Sequence, residues 1–379
     1  MKTNITGNIQ SGLIDDDTNH MNAAFNLARR GLGNVWPNPA VGCVITNNNR
    51  VVGRGWTMPG GHPHAETEAI RRAGKLANGG TAYVTLEPCN HYGQTPPCTD
   101  ALIAAGIKKV IVATQDPDNR VMGTGIIRLK EAGISVEIDF SKSTGDEVNQ
   151  GFFSRIKSLR PYITLKVATT LDGKIGTHSG ESKWITGATA RRWAHQLRAN
   201  HDTIMIGSGT ALADNPTLTC RLAGITNERR TRIVLDGRLR LSEDCNLAQT
   251  AKDVPVIVFT SSGDAEKEKK ISRLQDLGVI LIISPNRTDP LDFKDVFMEL
   301  TSRGVTRLFV EGGGTIAASL VNANFVDEIA WFRAPSIIGN DGIPAIDGLN
   351  LDKLSEKPIF TRKSLITLGE DSLEILSRK

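Results

Sequence analysis

TAYVTLEPCNHYGQTPPCTDALIAAGIKKVIVAT, residues 81–114, carries the first decision about fold. TAYVTLE is rich in β-branched and aromatic side chains and reads as a strand. A loop rich in Pro and Gly follows, then TDALIAA as a helix and KKVIVAT as a second strand. Strand, helix and strand in alternation imply a mostly parallel sheet covered on both faces. The same stretch holds Cys89 and Cys98, so the loop between strand and helix is also a candidate metal site.

Working outward, VGCVIT and RVVGRGW flank Asn47, Asn48 and Asn49, the pattern of a β-hairpin. Thr18 is placed to cap a helix through about Arg30, with Met21, Ala24, Phe25 and Ala28 on one face and Gly31 or Gly33 ending it. His64 to Ala73 reads as a helix closed by Gly74, about Thr124 to Ala132 as another, and ISVEI as a strand. The polar segment Ser141 to Gln150 breaks the rhythm, and after a short helical stretch RPYITLKVATT starts a new strand at Tyr162. These cues predict a flexible tail over 1–18, one domain over 19–155 and a second over 156–379. The second alternates again: strands IVLD and VPVIVFT, a charged helix through EKEKKISRLQDL, strand VILII, a helix near Val296, strand RLFVEG, helix TIAASLVN and strand VDEIAWF. No repeat links the halves.

At 379 residues, two or three domains are expected. No apolar run approaches the roughly 18 residues of a membrane span, and the N-terminus lacks the apolar core of a secretory signal. Asp15 to Asp17 are out of place in a transit peptide, so the cytoplasm is the expected location. Forty-five basic and forty-one acidic residues leave a net charge of +4 without long like-charge blocks. That speaks against a nucleic-acid tail while allowing local basic pockets. Five cysteines in an unexported chain point to metal binding or burial rather than a disulfide framework.

His64-Ala65-Glu66, followed by Pro88-Cys89 and Cys98, is the sharpest signal. One imidazole and two thiolates suit tetrahedral zinc, and three protein ligands leave a fourth position for water. Glu66 stands too close to His64 to be a comfortable ligand, but is placed to move that water's proton. Helices starting after Pro63 and Pro97 would turn their positive ends towards the site. H-x-E with P-C-x-x-C marks zinc-dependent nucleobase deaminases; here eight residues separate the cysteines. The bland alternative is a structural zinc closed by His62 or His91, or no metal. A second candidate site lies where RLFVEG meets Gly312, Gly313, Gly314 and the helix TIAASLVN, since a glycine turn at a helix N-terminus suits a pyrophosphate. Gly312, Gly314 and Ala317 satisfy G-x-G-x-x-A, but too late in the domain for a Rossmann fingerprint. Taken alone, the turn could serve backbone geometry only. Lys166, Arg198 and Arg221 suit a ribose phosphate, though any one alone reads as a solvated charge.

The runs TLEPCNHYGQTPPC, WPNPAVGCVI and GGHPHAE closely resemble the deaminase domain of the bifunctional riboflavin-biosynthesis deaminase–reductase family. The resemblance implies a cytidine-deaminase-like α/β/α sandwich that removes the 2-amino group of 2,5-diamino-6-(5-phosphoribosylamino)pyrimidin-4(3H)-one. It assigns zinc to His64, Cys89 and Cys98, proton transfer to Glu66 and a substrate contact to Asn38, whose Asn-Pro pair could equally be a turn. Thr57 and Gln94 depart from the family's usual histidine and its usual Arg or Lys. LKVATTLDGKIG, ESKWITG, HQLRANHDTIMIGSGTALADNPTLTCR and FVEGGGT are similar to the family's reductase domain, dihydrofolate-reductase-like in fold and dependent on NADPH. By that resemblance Lys166, Ser182, Arg198, Leu218, Arg221 and Glu311 meet substrate. Ala168, Trp184, Thr210, Asp214, Gly313, Gly314, Thr315, Ile316, Ala317, Ala318 and Ser319 meet NADPH. Without the motif, Trp184 reads as core, and Cys220 and Cys245 as small buried hydrophobes. Lys166 or Asp172 is a candidate for assisting ring opening of the ribose. The resemblance also implies a homo-oligomer acting on a phosphorylated pyrimidine, with neither nucleic acid nor membrane as partner. The rivals are a nucleic-acid base deaminase, a zinc-stabilised binding module, and a single-activity deaminase with a non-catalytic nucleotide-binding C-terminal domain.

Overall fold

The computed structural model describes residues 16–222, 224, 230–261, 267–285 and 290–379; the tail expected over 1–18 falls almost wholly outside them. Two compact units emerge among these residues, one of 16–31 and 40–149, the other of 32–39 and 150–379.

The first unit begins with α1 (Asp16–Ala28), whose buried face is Met21, Ala24, Phe25, Leu27 and Ala28. The hairpin β1 (Gly42–Asn47) and β2 (Arg50–Trp56) follows. Next come α2 (Ala65–Ala73), β3 (Thr81–Val84), α3 (Cys98–Ala104), β4 (Lys109–Val112), α4 (Thr124–Glu131), β5 (Ser135–Glu137) and α5 (Lys142–Val148). The sheet order is β2-β1-β3-β4-β5. The pairs β3/β4 and β4/β5 are parallel, as alternation demands, whereas the hairpin makes β1/β2 and β1/β3 antiparallel. Val44, Tyr83 and Ile111 share one face of the sheet and pack against α1 and α5. On the other face α2 lies directly on β2. A Cβ at Gly53 would stand 2.3 Å from the Ala69 carbonyl oxygen, and one at Gly55 2.1 Å from that of Ala65. Only glycine permits this approach, and it fixes where the start of α2 sits.

The segment expected to break the rhythm is in fact helical. Gly145 packs so closely that a Cβ there would be 2.9 Å from the Thr114 methyl, Val148 is buried, and Asp146 accepts from the Thr114 hydroxyl at 2.7 Å. Its polar composition hid a helix docked through one small and one apolar residue.

The second unit runs α6 (Gln150–Ser158), β6 (Tyr162–Thr169), β7 (Lys174–Gly176), α7 (Ala188–Ala199), β8 (Thr203–Gly207), α8 (Ser208–Asp214), β9 (Thr231–Leu235) and α9 (Asn246–Gln249). Then follow β10 (Val256–Thr260), α10 (Glu268–Asp276), β11 (Ile280–Ile283), α11 (Phe293–Ser302), β12 (Arg307–Val310), α12 (Gly314–Asn322), β13 (Glu328–Arg333), β14 (Ile343–Pro344), β15 (Phe360–Leu368) and β16 (Asp371–Arg378). Nine strands form one sheet in the order β11-β10-β9-β8-β12-β6-β13-β16-β15, while β7 and β14 make a small separate pair. From β11 to β13 the neighbours are parallel; β16 and β15 then join antiparallel. Alternate residues of the parallel strands feed two cores, Met205, Ile233 and Ile257 in one and Ile204, Val234 and Val258 in the other. Burial on both faces explains the near-continuous apolar runs in these strands.

Candidate functional site

In the first unit, β3 ends just before the loop carrying Cys89, and α2 and α3 begin at the same place. His64 is the N-cap of α2 and Cys98 opens α3 after Pro97. His64 Nδ1 lies 3.3 Å from Cys98 Sγ and 3.6 Å from Cys89 Sγ, and the Cys98 N–H donates to Cys89 Sγ at 3.3 Å. The three ligand atoms all fall within 4.8 Å of one another. Among the described residues no fourth His, Cys, Asp or Glu joins the group. His62 stacks on the His64 ring at 4.9 Å instead, and His91 stays outside. A two-sulfur, one-nitrogen donor set with an open fourth position fits catalytic zinc.

The electrostatics are those of a site awaiting a cation. Contact with Cys98 and with His64 draws the Cys89 thiol down, while Cys89 and burial push Cys98 up, so the pair shares one negative charge. A bound dication would favour thiolate at both. Burial pushes Glu66 up to about 7, and the residue is 3% exposed in the first turn of α2. That is the range in which a carboxyl can both take and return a proton near neutrality.

Beneath the metal loop stands Glu87, which sequence reasoning passed over. It is 3% exposed and gathers four backbone N–H groups. Oε1 accepts from Gly125 (3.1 Å) and Ile126 (3.3 Å), and Oε2 from Gly123 (3.0 Å) and Asp116 (3.4 Å). A Cβ at Gly125 would meet the Pro88 carbonyl oxygen at 2.1 Å, so the first turn of α4 is pressed onto the stretch that presents Cys89. The signal was a lone carboxylate closing the run TAYVTLE, directly before Pro-Cys. Of the two departures from the family pattern, Thr57 is buried and accepts from the Val41 N–H at 3.0 Å, whereas Gln94 is exposed. Asn38 belongs to segment 32–39, where its N–H donates to the Val35 carbonyl at 3.1 Å.

The second unit contains a cavity of about 1080 Å³ above the ends of β6, β8, β9 and β12. Lys166, Ser182, Arg198, Leu218, Arg221 and Glu311 all line it. So do Ala168, Trp184, Thr210, Asp214, Gly313, Gly314, Thr315, Ile316 and Ser319. Ala317 and Ala318 do not; they turn into the protein, at 1% and 6% exposure. Trp184 is not core: it is 68% exposed, with the Arg191 guanidinium 4.4 Å from its ring centre.

Glu311 is the centre of charge. Arg198 grips it with two N–H donors, Nε to Oε1 and Nη2 to Oε2, and Lys166 Nζ stands 3.9 Å away. Burial raises the carboxyl's pKa, but Arg198 and Lys166 outweigh it and hold Glu311 below its ordinary value. Desolvation pulls the Lys166 ammonium down, against the opposing charge of Glu311. The third nitrogen of Arg198 donates to the Thr219 carbonyl at 2.7 Å, and the Arg221 N–H donates to His195 Nδ1 at 3.2 Å. Helix α7 thereby holds the loop that carries Arg221. Burial, then Arg198 and Arg221, drive His195 down to about 4, so it stays neutral and keeps that acceptor. Asp172 faces elsewhere: it accepts from the Thr170 hydroxyl (2.6 Å) and the Gly339 N–H (2.8 Å), which ties two loops together. Cys220 donates to the His195 carbonyl at 3.1 Å, and Cys245 caps α9.

The glycine turn passes a test of fit for a phosphate. A Cβ on Gly313 would make one ordinary contact, with Thr210 Oγ1 at 3.7 Å, and no clash. The peptide N–H groups opening α12 therefore remain approachable.

Residues 14–114 match the cytidine and deoxycytidylate deaminase zinc-binding region, and residues 161–373 match the RibD C-terminal domain. The chain is similar to the riboflavin biosynthesis protein RibD of Bacillus amyloliquefaciens, 39% identical over 353 residues, 93% of this chain and 94% of that one. Among solved structures, Acinetobacter baumannii RibD (form 2) superposes with a TM-score of 0.85 at 34% identity, covering 96% of this chain and 99% of that one. A diaminohydroxyphosphoribosylaminopyrimidine deaminase/5-amino-6-(5-phosphoribosylamino)uracil reductase from Thermotoga maritima gives the same TM-score, 0.85, at 33% identity, with 96% and 99% covered.

Proposed function

The chain belongs to the RibD family of bifunctional riboflavin-biosynthesis enzymes, and we propose that its deaminase half works with zinc on His64, Cys89 and Cys98 and its reductase half with NADPH. It is a deaminase and a reductase in one chain. The observation that carries the metal assignment is the open three-ligand cluster beside buried Glu66.

The substrate is 2,5-diamino-6-(5-phosphoribosylamino)pyrimidin-4(3H)-one, with Asn38 assigned to it by resemblance. Zinc, when bound, supplies a water acidic enough to lose a proton near neutrality. Glu66 would carry one water proton to the ring nitrogen as oxygen adds at C2, then carry the proton of the newly added hydroxyl to the amine, which leaves as ammonia. NADPH, when bound, supplies the two electrons and one hydrogen that reduce the ring-opened ribosyl C1′ on the way to the ribityl chain. Arg221 and Lys166 suit the substrate's phosphate and sugar, Ser182 and Leu218 border it, and Glu311 keeps the two nearby cations in place. The stretch Gly313–Ser319 opens α12 against the pyrophosphate, with Ala168, Trp184, Thr210 and Asp214 around the rest of the dinucleotide. Ala317 and Ala318 contribute through packing rather than contact.

Among the described residues no helix is long and apolar enough to cross a membrane; we take the enzyme to act in the cytoplasm, as a homo-oligomer. The test is Glu66→Gln. It should retain one zinc per chain by metal analysis and release no ammonia, yet still oxidise NADPH when given the deaminated intermediate. Ammonia release at the wild-type rate would remove Glu66 from the mechanism.

A further inference from the structure

His62 has no part in the cluster of His64, Cys89 and Cys98, yet it lies beside it, at the end of the turn that joins β2 to α2. That turn is closed on itself. The Thr57 N–H donates to the Val41 carbonyl at 2.9 Å, and the Gly61 N–H to the Met58 carbonyl at 2.9 Å. The Met58 N–H reaches across the turn to the Pro63 carbonyl at 3.1 Å. Gly60 and Gly61 take φ of 81° and 87°, the left-handed region that glycine enters freely. His62 is thereby held between fixed points of backbone. Its ring rests on that of His64, with centroids 4.9 Å apart and planes inclined by 15°, the offset-stacked arrangement of flat rings.

The stack gains weight from how else His64 is held. Its Nδ1 faces both sulfurs, at 3.3 and 3.6 Å, so Nδ1 is the ligating atom and Nε2 lies on the far side of the ring. A histidine ligand commonly donates its second N–H to a carboxylate or a carbonyl, which fixes how the ring is turned. Among the described residues no such acceptor meets Nε2, the polar partners of the His64 side chain being the two cysteines. As N-cap of α2 the side chain makes no capping bond either. The rotation of the imidazole about its Cβ–Cγ bond is therefore governed by the ring packed against it. Turning His64 out of its present plane would drive an edge into the face of His62.

We propose that His62 is a positioning residue of the deaminase half, whose ring face, in place of a hydrogen bond, holds His64 with Nδ1 turned towards Cys89 and Cys98. The inference rests on the zinc reading of the cluster and adds the residue that pre-orders it. His62 contributes a surface and no ligand atom, so the fourth position is left to water.

Metal binding, not turnover, tests it. Competition with a chromogenic chelator gives the zinc affinity of the full chain, and the visible bands of the cobalt-substituted protein report ligand geometry. In His62→Ala, zinc should bind about three- to tenfold more weakly, the range of one stacked ring pair, and the cobalt bands should shift. His62→Phe keeps a flat ring without nitrogen; it should hold zinc within about twofold of wild type, with the bands unmoved. His62→Leu fills the space without a flat face. It should behave as His62→Ala does, and it takes that variant's place if the alanine chain fails to fold. Wild-type zinc affinity in both His62→Ala and His62→Leu would overturn the inference alone. So would a loss in His62→Phe equal to that in His62→Ala, since a nitrogen of His62 would then be the working part. Wild type that takes up no zinc would overturn the metal reading and this inference with it.

Discussion

Replacing Glu87 by Gln tests whether the metal loop is held from beneath. The two carboxylate oxygens accept four backbone N–H groups, two from the loop before α4 and two from its first turn, at 3.0 to 3.4 Å. Glutamine keeps one oxygen and turns an NH2 group towards two N–H donors, so two bonds are lost and two buried donors are stranded. A hydrogen bond to a charged group contributes about 1.5–3 kcal/mol, and a stranded donor costs about 1–3. Partial relaxation of the loop brings the sum to about 3–5 kcal/mol. For a unit of this size about 4 °C accompanies each kcal/mol, so its unfolding should move down by about 12–20 °C. Scanning calorimetry of the full chain gives the measurement, the deaminase transition being the one that also moves on zinc chelation. Zinc should be released to a chromogenic chelator faster than from wild type, while affinity for NADPH stays unchanged. A shift below about 2 °C would refute the claim that Glu87 positions the Cys89 loop.

Two further outcomes follow from the same geometry. Burial raises Asp116 to about 7 from an ordinary 3.8, so the native state prefers it protonated; its contribution is complete below pH 4 and is lost as pH climbs through 7. Relative to Asp116→Asn, wild type should therefore lose stability between pH 4 and 8, by at most about 4 kcal/mol, and parallel curves in denaturant titrations would contradict this. In the reductase half, Gly314→Ala puts a methyl 2.5 Å from Asp347 Oδ1 and 2.8 Å from the Pro344 carbonyl and should destabilise. Gly313→Ala meets nothing closer than 3.7 Å and should melt like wild type while binding NADPH at least about tenfold more weakly; normal affinity would remove the turn from the cofactor site.

How much was legible beforehand depends on where the information sits. His64, Cys89 and Cys98 could be read because metal ligation demands particular atoms, and His64, Glu66 and Cys98 lie at helix starts that local sequence announces. The hairpin and the parallel strands 81–84 and 109–112 were equally local. The C-terminal hairpin β15/β16 escaped: as a sheet edge it exposes most of β15, and FTRKSLITL shows only a diluted apolar alternation. Strand β8 was legible only as part of a motif. Helix α5 was misread for the opposite reason, since its docking uses a glycine and one valine.

The overall charge of the chain was uninformative for a related reason. A net +4 over 379 residues averages two sites of opposite character. In the first unit, two cysteines, one histidine and a buried glutamate converge, an arrangement that a dication completes. In the second, Lys166, Arg198, Arg221 and Arg240 border one cavity, and Glu311 directly offsets only the first two. Arg240 Nε stands 3.9 Å from Asp236 Oδ1, and Arg221 sits in the loop that α7 holds. Segregation of this kind costs little while each site is open to solvent and gains strength as the ligand excludes water. Each half therefore has its charge balanced by what it binds, which is why the residues that matter most for function are those that composition alone makes look unremarkable.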